Sequence, residues 1–200
     1  MSEGNGSYDV SFWENLYDDN YAAIFSQNLE VSIADPFLPF LRPNQYVNYS
    51  VSDKAVALSQ VLTKDSVEIV EVIADIYSYI IKNIDYDYEK AATVSYGYLP
   101  AIDEILDTKK GICFDYSVLM ASMLRAQHIP SKLVIGYAGS AYHAWIEVYS
   151  KEEGWIKKEI YFNGKDYTLM DPTFASAGGG QVNIASIIGD GSNYTPRFYY

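Results

Sequence analysis

The chain has 200 residues, a formal net charge of −12 and a sequence pI near 4.4. That length suits one domain burying roughly 70% of the surface its unfolded form exposes, and the acidic balance repels phosphate backbones and anionic lipid, which argues against nucleic acid and acidic membrane surfaces as partners. A single cysteine and two histidines can build neither a disulfide scaffold nor a Cys-only or Cys/His zinc cluster, and no apolar run approaches the roughly 20 residues that cross a bilayer.

The opening MSEGNGS has no basic region and no apolar core, so no signal peptide reads there; it resembles the small-residue leader left where an export segment has been removed. Residues 9–21 (DVSFWENLYDDNY) cluster aromatics and acids and read as a short helix or an irregular cover, and residues 37–51, with two prolines, read as extended chain. Residues 65–84 are clearer. Val67, Val70, Ile73, Tyr77, Ile80 and Ile84 recur at helical steps on one face, with Asp65 as the cap and Glu68 three residues on. Residues 85–100 form a polar, tyrosine-rich loop of the kind that lines sites, and 100–106 give one or two helical turns with Pro100 first.

A helix beginning near Cys113 then runs to the Ile129-Pro130 break. Strands follow at 133–137, 144–149, 154–162 and 166–170, the last two joined by Asn163-Gly164, the strongest short hairpin signal. A buried helix followed by an antiparallel sheet is an α+β plan. His128, at the end of the helix, is expected to cap it and complement its dipole. Arg125 is expected to be a structural ion-pair partner.

The chemistry centres on GICFDYSVLMASMLRAQHIP, which holds the only cysteine. A helix N-terminus favours thiolate through its unpaired N–H groups and positive dipole end; Gly111 lets the loop approach closely, and the N–H of Cys113 is a ready oxyanion donor. His143, at the start of a strand, can be aimed into a cleft by the pleat, and Asp171, at the end of another just before Pro172, can hold the imidazole tautomer. Each is ordinary alone: a lone cysteine at a helix start is usually an inert small hydrophobe, a lone histidine beside tryptophan a half-buried structural residue, and Asp-Pro a turn starter. A nucleophile at a helix start, a base and an orienter at element ends, spaced 30 and 28 residues apart, are three placements that a structural account leaves unconnected.

At GICFDYSVLMASMLRAQHIPSKLVIGY, YHAWIEV and YTLMDPT the chain resembles the transglutaminase-like superfamily of papain-like Cys-His-Asp enzymes, of the compact bacterial type. The resemblance implies a papain/transglutaminase-like core over residues 65–175 of a single 1–200 domain, with 1–60 as an N-terminal extension or cover. It implies Cys113 attacking a protein or peptide carboxamide, His143 as base and acid, Asp171 orienting it, and a thioester resolved by water (protease or amidase) or by an amine (cross-linking). A second oxyanion donor is expected from the loop at 93–100, where Tyr98 is favoured; Tyr96, Tyr142 and Trp145 are candidates for lining the cleft. No metal and no cofactor are expected. The expected partner is a protein or peptide, with a cell-wall or surface glycopeptide as one form, and the resemblance implies a secreted or cell-surface protein. The rival expectation is a catalytically silent module serving as a protein or glycan binding platform; an intact Cys113, His143 and Asp171 speak against it.

Overall fold

The structure, a computed structural model, describes residues 4–152, 154–156, 160–162, 166–168 and 194–200. Two compact units divide between Pro39 and Phe40.

The first unit is a long antiparallel hairpin of β1 (Gly6–Tyr17) and β2 (Asn20–Val31). It replaces the helix or irregular cover expected over residues 9–21. Asp9, Val10, Ser11 and Phe12 do alternate as a strand should, but a register shift between Phe12 and Trp13 places two aromatics in succession and hides the period of two. The turn sits at Asp18 and Asp19, with Asp18 in the left-handed region (φ 46°) that aspartate tolerates. Across the ladder, the Phe12 and Phe25 rings meet at 5.7 Å and the Ser11 and Ser26 hydroxyls at 2.7 Å.

The second unit carries the helices and the main sheet. Residues 37–51 are irregular around a 3-10 turn at Leu38–Phe40. They lead into α1 (Lys54–Leu62), a helix without a sequence expectation. Its head is capped from a distance, since Asp103 accepts from the N–H groups of Lys54 and Ala55. α2 (Ile69–Asn83) starts later than expected because Glu71, not Glu68, reaches back over the first turn; it accepts from the amides of Val67 and Glu68, which hold its carboxyl below the usual range. Asp65 stays at the surface facing Lys64. The buried stripe of α2 is Ile73, Ile76, Tyr77 and Ile80.

β3 (Asp85–Tyr86) then pairs in parallel with β4 (Lys110–Gly111), α3 (Tyr88–Thr93) and α4 (Ile102–Thr108) lying between them in sequence. α5 (Cys113–Ala126) is buried without interruption from Asp115 to Arg125, so it forms the axis of the core instead of one wall. It ends in a Schellman motif: Ile129 N–H donates to Leu124 C=O and His128 N–H to Arg125 C=O. His128 sits at φ 60°, where glycine is usual, and caps the helix with its backbone while its side chain remains exposed.

The main sheet is antiparallel, in the order β10 (Tyr194–Tyr199), β5 (Ser131–Ala138), β6 (Ala141–Ser150), β7 (Gly154–Ile156). The single strand expected over 154–162 is divided between β7 and β8 (Ile160–Phe162), which lie in different sheets; β8 pairs with β9 (Asp166–Thr168) about the expected hairpin, whose Asn163-Gly164 lies outside the described residues. β10 was not expected. It can approach β5 because position 136 is glycine: a Cβ there would collide with the Thr195 carbonyl.

Arg125, expected in an ion pair, is 1% exposed and donates to carbonyls instead. Nε and Nη2 reach Ser131, Nη1 reaches Arg42 and Nη2 also reaches Tyr200, at 2.7–3.0 Å. Burial pushes its guanidinium down to about 10. One side chain thus joins α5, β5, the segment before α1 and the residue after β10. Arg125→Met is expected to lower stability in urea unfolding by about 3 kcal/mol, because one buried and two part-buried carbonyls lose a charged donor.

Candidate active site

The thiol is placed by the head of α5. Cys113 is its first helical residue, following Ile112 in an extended conformation, so its N–H is one of the four amides that a helix leaves without an internal acceptor. Three attachments fix this end. Asp85 and Asp87 N–H groups donate to the carbonyls of Lys109 and Gly111 at 2.9 Å. Tyr116 Oη donates to the Ile84 carbonyl at 2.6 Å. Asp115 Oδ2 accepts from Ile112 N–H at 2.8 Å. The close approach expected of Gly111 has a physical reason here, since a Cβ at 111 would lie 2.7 Å from the Asp115 Cβ.

Cys113 is half-buried and His143 nearly buried, and both line one cavity of about 250 Å3. His143 stands near the start of β6, paired with Gly136 of β5. Its ring stacks on Trp145 (centroids 6.4 Å, interplanar angle 17°) and meets Tyr194 edge-on at 6.2 Å, so a pair of touching aromatic rings packs against it. Asp171, the expected orienter, lies outside the described residues.

The expected cleft residues separate. Tyr142 is exposed at the rim and lines the cavity. Trp145 does not line it: at 2% exposure, in contact with the rings of both His143 and Tyr194, it is packing for the imidazole. Tyr96 is fully exposed and likewise lies off the cavity wall. Tyr98 does line it, but its single proton is engaged elsewhere. The hydroxyl donates to Asp115 Oδ1 at 2.6 Å and accepts from Lys90 Nζ at 2.6 Å; burial, then the Asp115 carboxylate, hold its phenol protonated far above the usual range. In this arrangement Tyr98 has no proton for an oxyanion.

The rest of the wall escaped sequence reasoning. Tyr46, Val94, Ile112, Phe114 and Ile135 make it largely apolar. Nothing in the spacing marks these residues, because they come from four separate segments. Asp115 did carry a signal, as the only charged residue between Gly111 and Leu124. Among the described residues, no three of His, Cys, Asp and Glu cluster as a metal site would require.

The family model described as the Transglutaminase-like superfamily matches residues 54–172, more than half of the chain. The chain belongs to that superfamily. A protein-glutamine gamma-glutamyltransferase of Pseudomonas aeruginosa is 35% identical over 38% of this chain and 12% of its own length, and the uncharacterized protein YebA of Bacillus subtilis is 27% identical over 61% of this chain and 20% of its own. The chain therefore spans a fifth or less of these curated relatives. Among solved structures, the periplasmic domain of TgpA from P. aeruginosa superposes with a TM-score of 0.54 at 24% identity, covering 81% of this chain and 55% of that one. A candidate cysteine protease from Cytophaga hutchinsonii does so with 0.51 at 22%, covering 72% and 50%. These likenesses match the transglutaminase-like α+β fold expected from the sequence, a helix beginning at the cysteine and packed on an antiparallel sheet.

Gly111→Ala tests how this superfamily member holds its thiol. The added methyl forces the loop away from Asp115, so stability should fall by about 1–3 kcal/mol and the alkylation rate of Cys113 should change with it. Unchanged values of both would mean that the close approach positions nothing.

Proposed function

We propose that this domain transfers acyl groups from a protein or peptide carboxamide through a thioester on Cys113. The observation that carries the reading is the shared cavity: a thiol at the first position of α5 and an imidazole restrained in β6 line the same apolar hollow. In the proposed cycle, His143 takes the thiol proton as Sγ attacks the carboxamide carbon. The N–H of Cys113 donates to the developing oxyanion. His143 then returns the proton to the departing nitrogen, releasing ammonia or an amine and leaving the thioester. An amine or water adds next, giving a new amide or an acid and restoring the thiol. Asp171 keeps the orienting role that the family resemblance gives it.

The 35% identity to a protein named for glutamine gamma-glutamyl transfer supports a glutamine carboxamide as donor and an amine as one acceptor; hydrolysis is the same cycle with water in that place. The apolar wall supports a substrate that inserts an apolar or aromatic side chain beside the reacting carboxamide. A charged side chain would have to shed its hydration there without a partner. A place outside the cytoplasm belongs to the same proposal, since the domain of TgpA that shares the fold is periplasmic.

The test is mass spectrometry of glutamine-containing peptides incubated with a small primary amine. Loss of ammonia with amine incorporation marks transfer, and a shorter peptide or a gain of one mass unit marks hydrolysis. Cys113→Ala should abolish both products, and peptides with Phe or Leu beside the reacting residue should exceed those with Asp or Lys by about tenfold or more in kcat/KM. No product from any peptide, or equal product from the Cys113→Ala variant, would overturn the proposal.

A further inference from the structure

Asp115 is fully buried two positions beyond Cys113, where a carboxylate needs a compensating partner. Its oxygens are completely engaged: Oδ1 by the Tyr98 hydroxyl at 2.6 Å, and Oδ2 by Lys90 Nζ at 2.7 Å and Ile112 N–H at 2.8 Å. Lys90 closes the triangle by donating to the Tyr98 oxygen at 2.6 Å, with its ammonium 4.3 Å from the centre of that ring. The lysine is itself fixed, because Asp87 caps α3 by accepting from the Lys90 backbone N–H. Three chain segments, α3, the loop that carries Tyr98 and the head of α5, therefore meet at one carboxylate.

We propose that Lys90 and Asp115 form a charge-compensated clamp that positions Cys113 and the Tyr98 wall of the cavity, with the Lys90 cation cancelling the Asp115 anion so that the thiolate can form. Asp115 acts as a positioning residue by tying down Ile112 and Tyr98; Lys90 acts as one by neutralising the charge this anchoring requires. The inference rests on the reading of Cys113 as nucleophile. The titratable groups that share the cavity with Cys113 are Tyr46, Tyr98, Tyr142 and His143. Lys90 pairs with Asp115 at 2.7 Å and shares a second hollow with Asp87, Glu89, Glu104 and Lys110, and Glu104 of α4 acts on Tyr98 electrostatically. Tyr98 stays a neutral phenol, so within the clamp the compensating charge comes from Lys90 alone.

The experiment measures alkylation of Cys113 by iodoacetamide against pH in the intact chain, read by mass. Lys90→Met leaves the carboxylate uncompensated. The pH midpoint should rise by about one unit and the rate near neutral pH should fall about tenfold. Lys90→Arg keeps the charge and should restore the unsubstituted midpoint to within a few tenths of a unit, roughly. Asp115→Asn removes the anion and leaves the cation, so its midpoint should not rise. A merely structural role would loosen the head of α5 in all variants and move their midpoints the same way. The proposal is overturned if Lys90→Met leaves the midpoint unraised, if Lys90→Arg moves it as far, or if Asp115→Asn raises it equally; the two lysine variants decide should Asp115→Asn not fold. The readout needs only a thiol, so absent peptide turnover would sink the acyl-transfer reading and leave this inference, whereas intact turnover with an unmoved midpoint would do the reverse.

Discussion

The placement of one helix terminus governs everything else in the second unit. α5 is enclosed on nearly every side from Asp115 onward, so its position cannot adapt to the site; the site is built around it. At the head, the carboxylate of Asp115 reaches back to Ile112 and outward to Tyr98 and Lys90. At the tail, Arg125 gathers the carbonyls of Ser131, Arg42 and Tyr200. Both ends use a buried charge hydrogen-bonded to several groups, an arrangement costly to break and geometrically definite. The thiol at the first helical position inherits that definition.

The imidazole is held by different means. β6 is a central strand between β5 and β7, and His143 lies on it with its ring against those of Trp145 and Tyr194, which also meet each other. β10 brings Tyr194 there, and its approach depends on the missing side chain at Gly136, which pairs with both Pro196 and His143. A cysteine at a helix head held by ionic hydrogen bonds thus faces the same cavity as an imidazole packed against aromatic rings.

Much of this was legible from local chemistry. The start of α5 at Cys113 follows from Gly111 and the apolar run behind it, and β5 and β6 follow from their β-branched and aromatic alternation. The less legible parts share a physical cause: their signals are distant or disguised. α1 is capped by Asp103, about fifty residues away, while Asp53 at its own N-cap position makes no side-chain cap. The bulge after Phe12 scrambles the alternation of β1. The engagement of the Tyr98 hydroxyl could not be read, because its direction depends on a partner, Asp115, whose burial no spacing reveals. Trp145 sits two residues from His143, a spacing that puts both on one face of a strand and cannot say which of them borders the cavity and which supports from behind. The wall of the cavity, drawn from five segments, is a product of tertiary structure alone.

The central claim is that Cys113 and His143 act as a nucleophile and its base. The most direct measurement is the rate at which His143→Ala loses its thiol to iodoacetamide across pH, compared with the unsubstituted chain. The account predicts that removing the imidazole abolishes reactivity on the acid side of the profile and leaves only the alkaline behaviour of an isolated thiol. A profile that coincides with that of the unsubstituted chain would contradict it, and would leave the two residues as neighbours around a cavity with no shared chemistry.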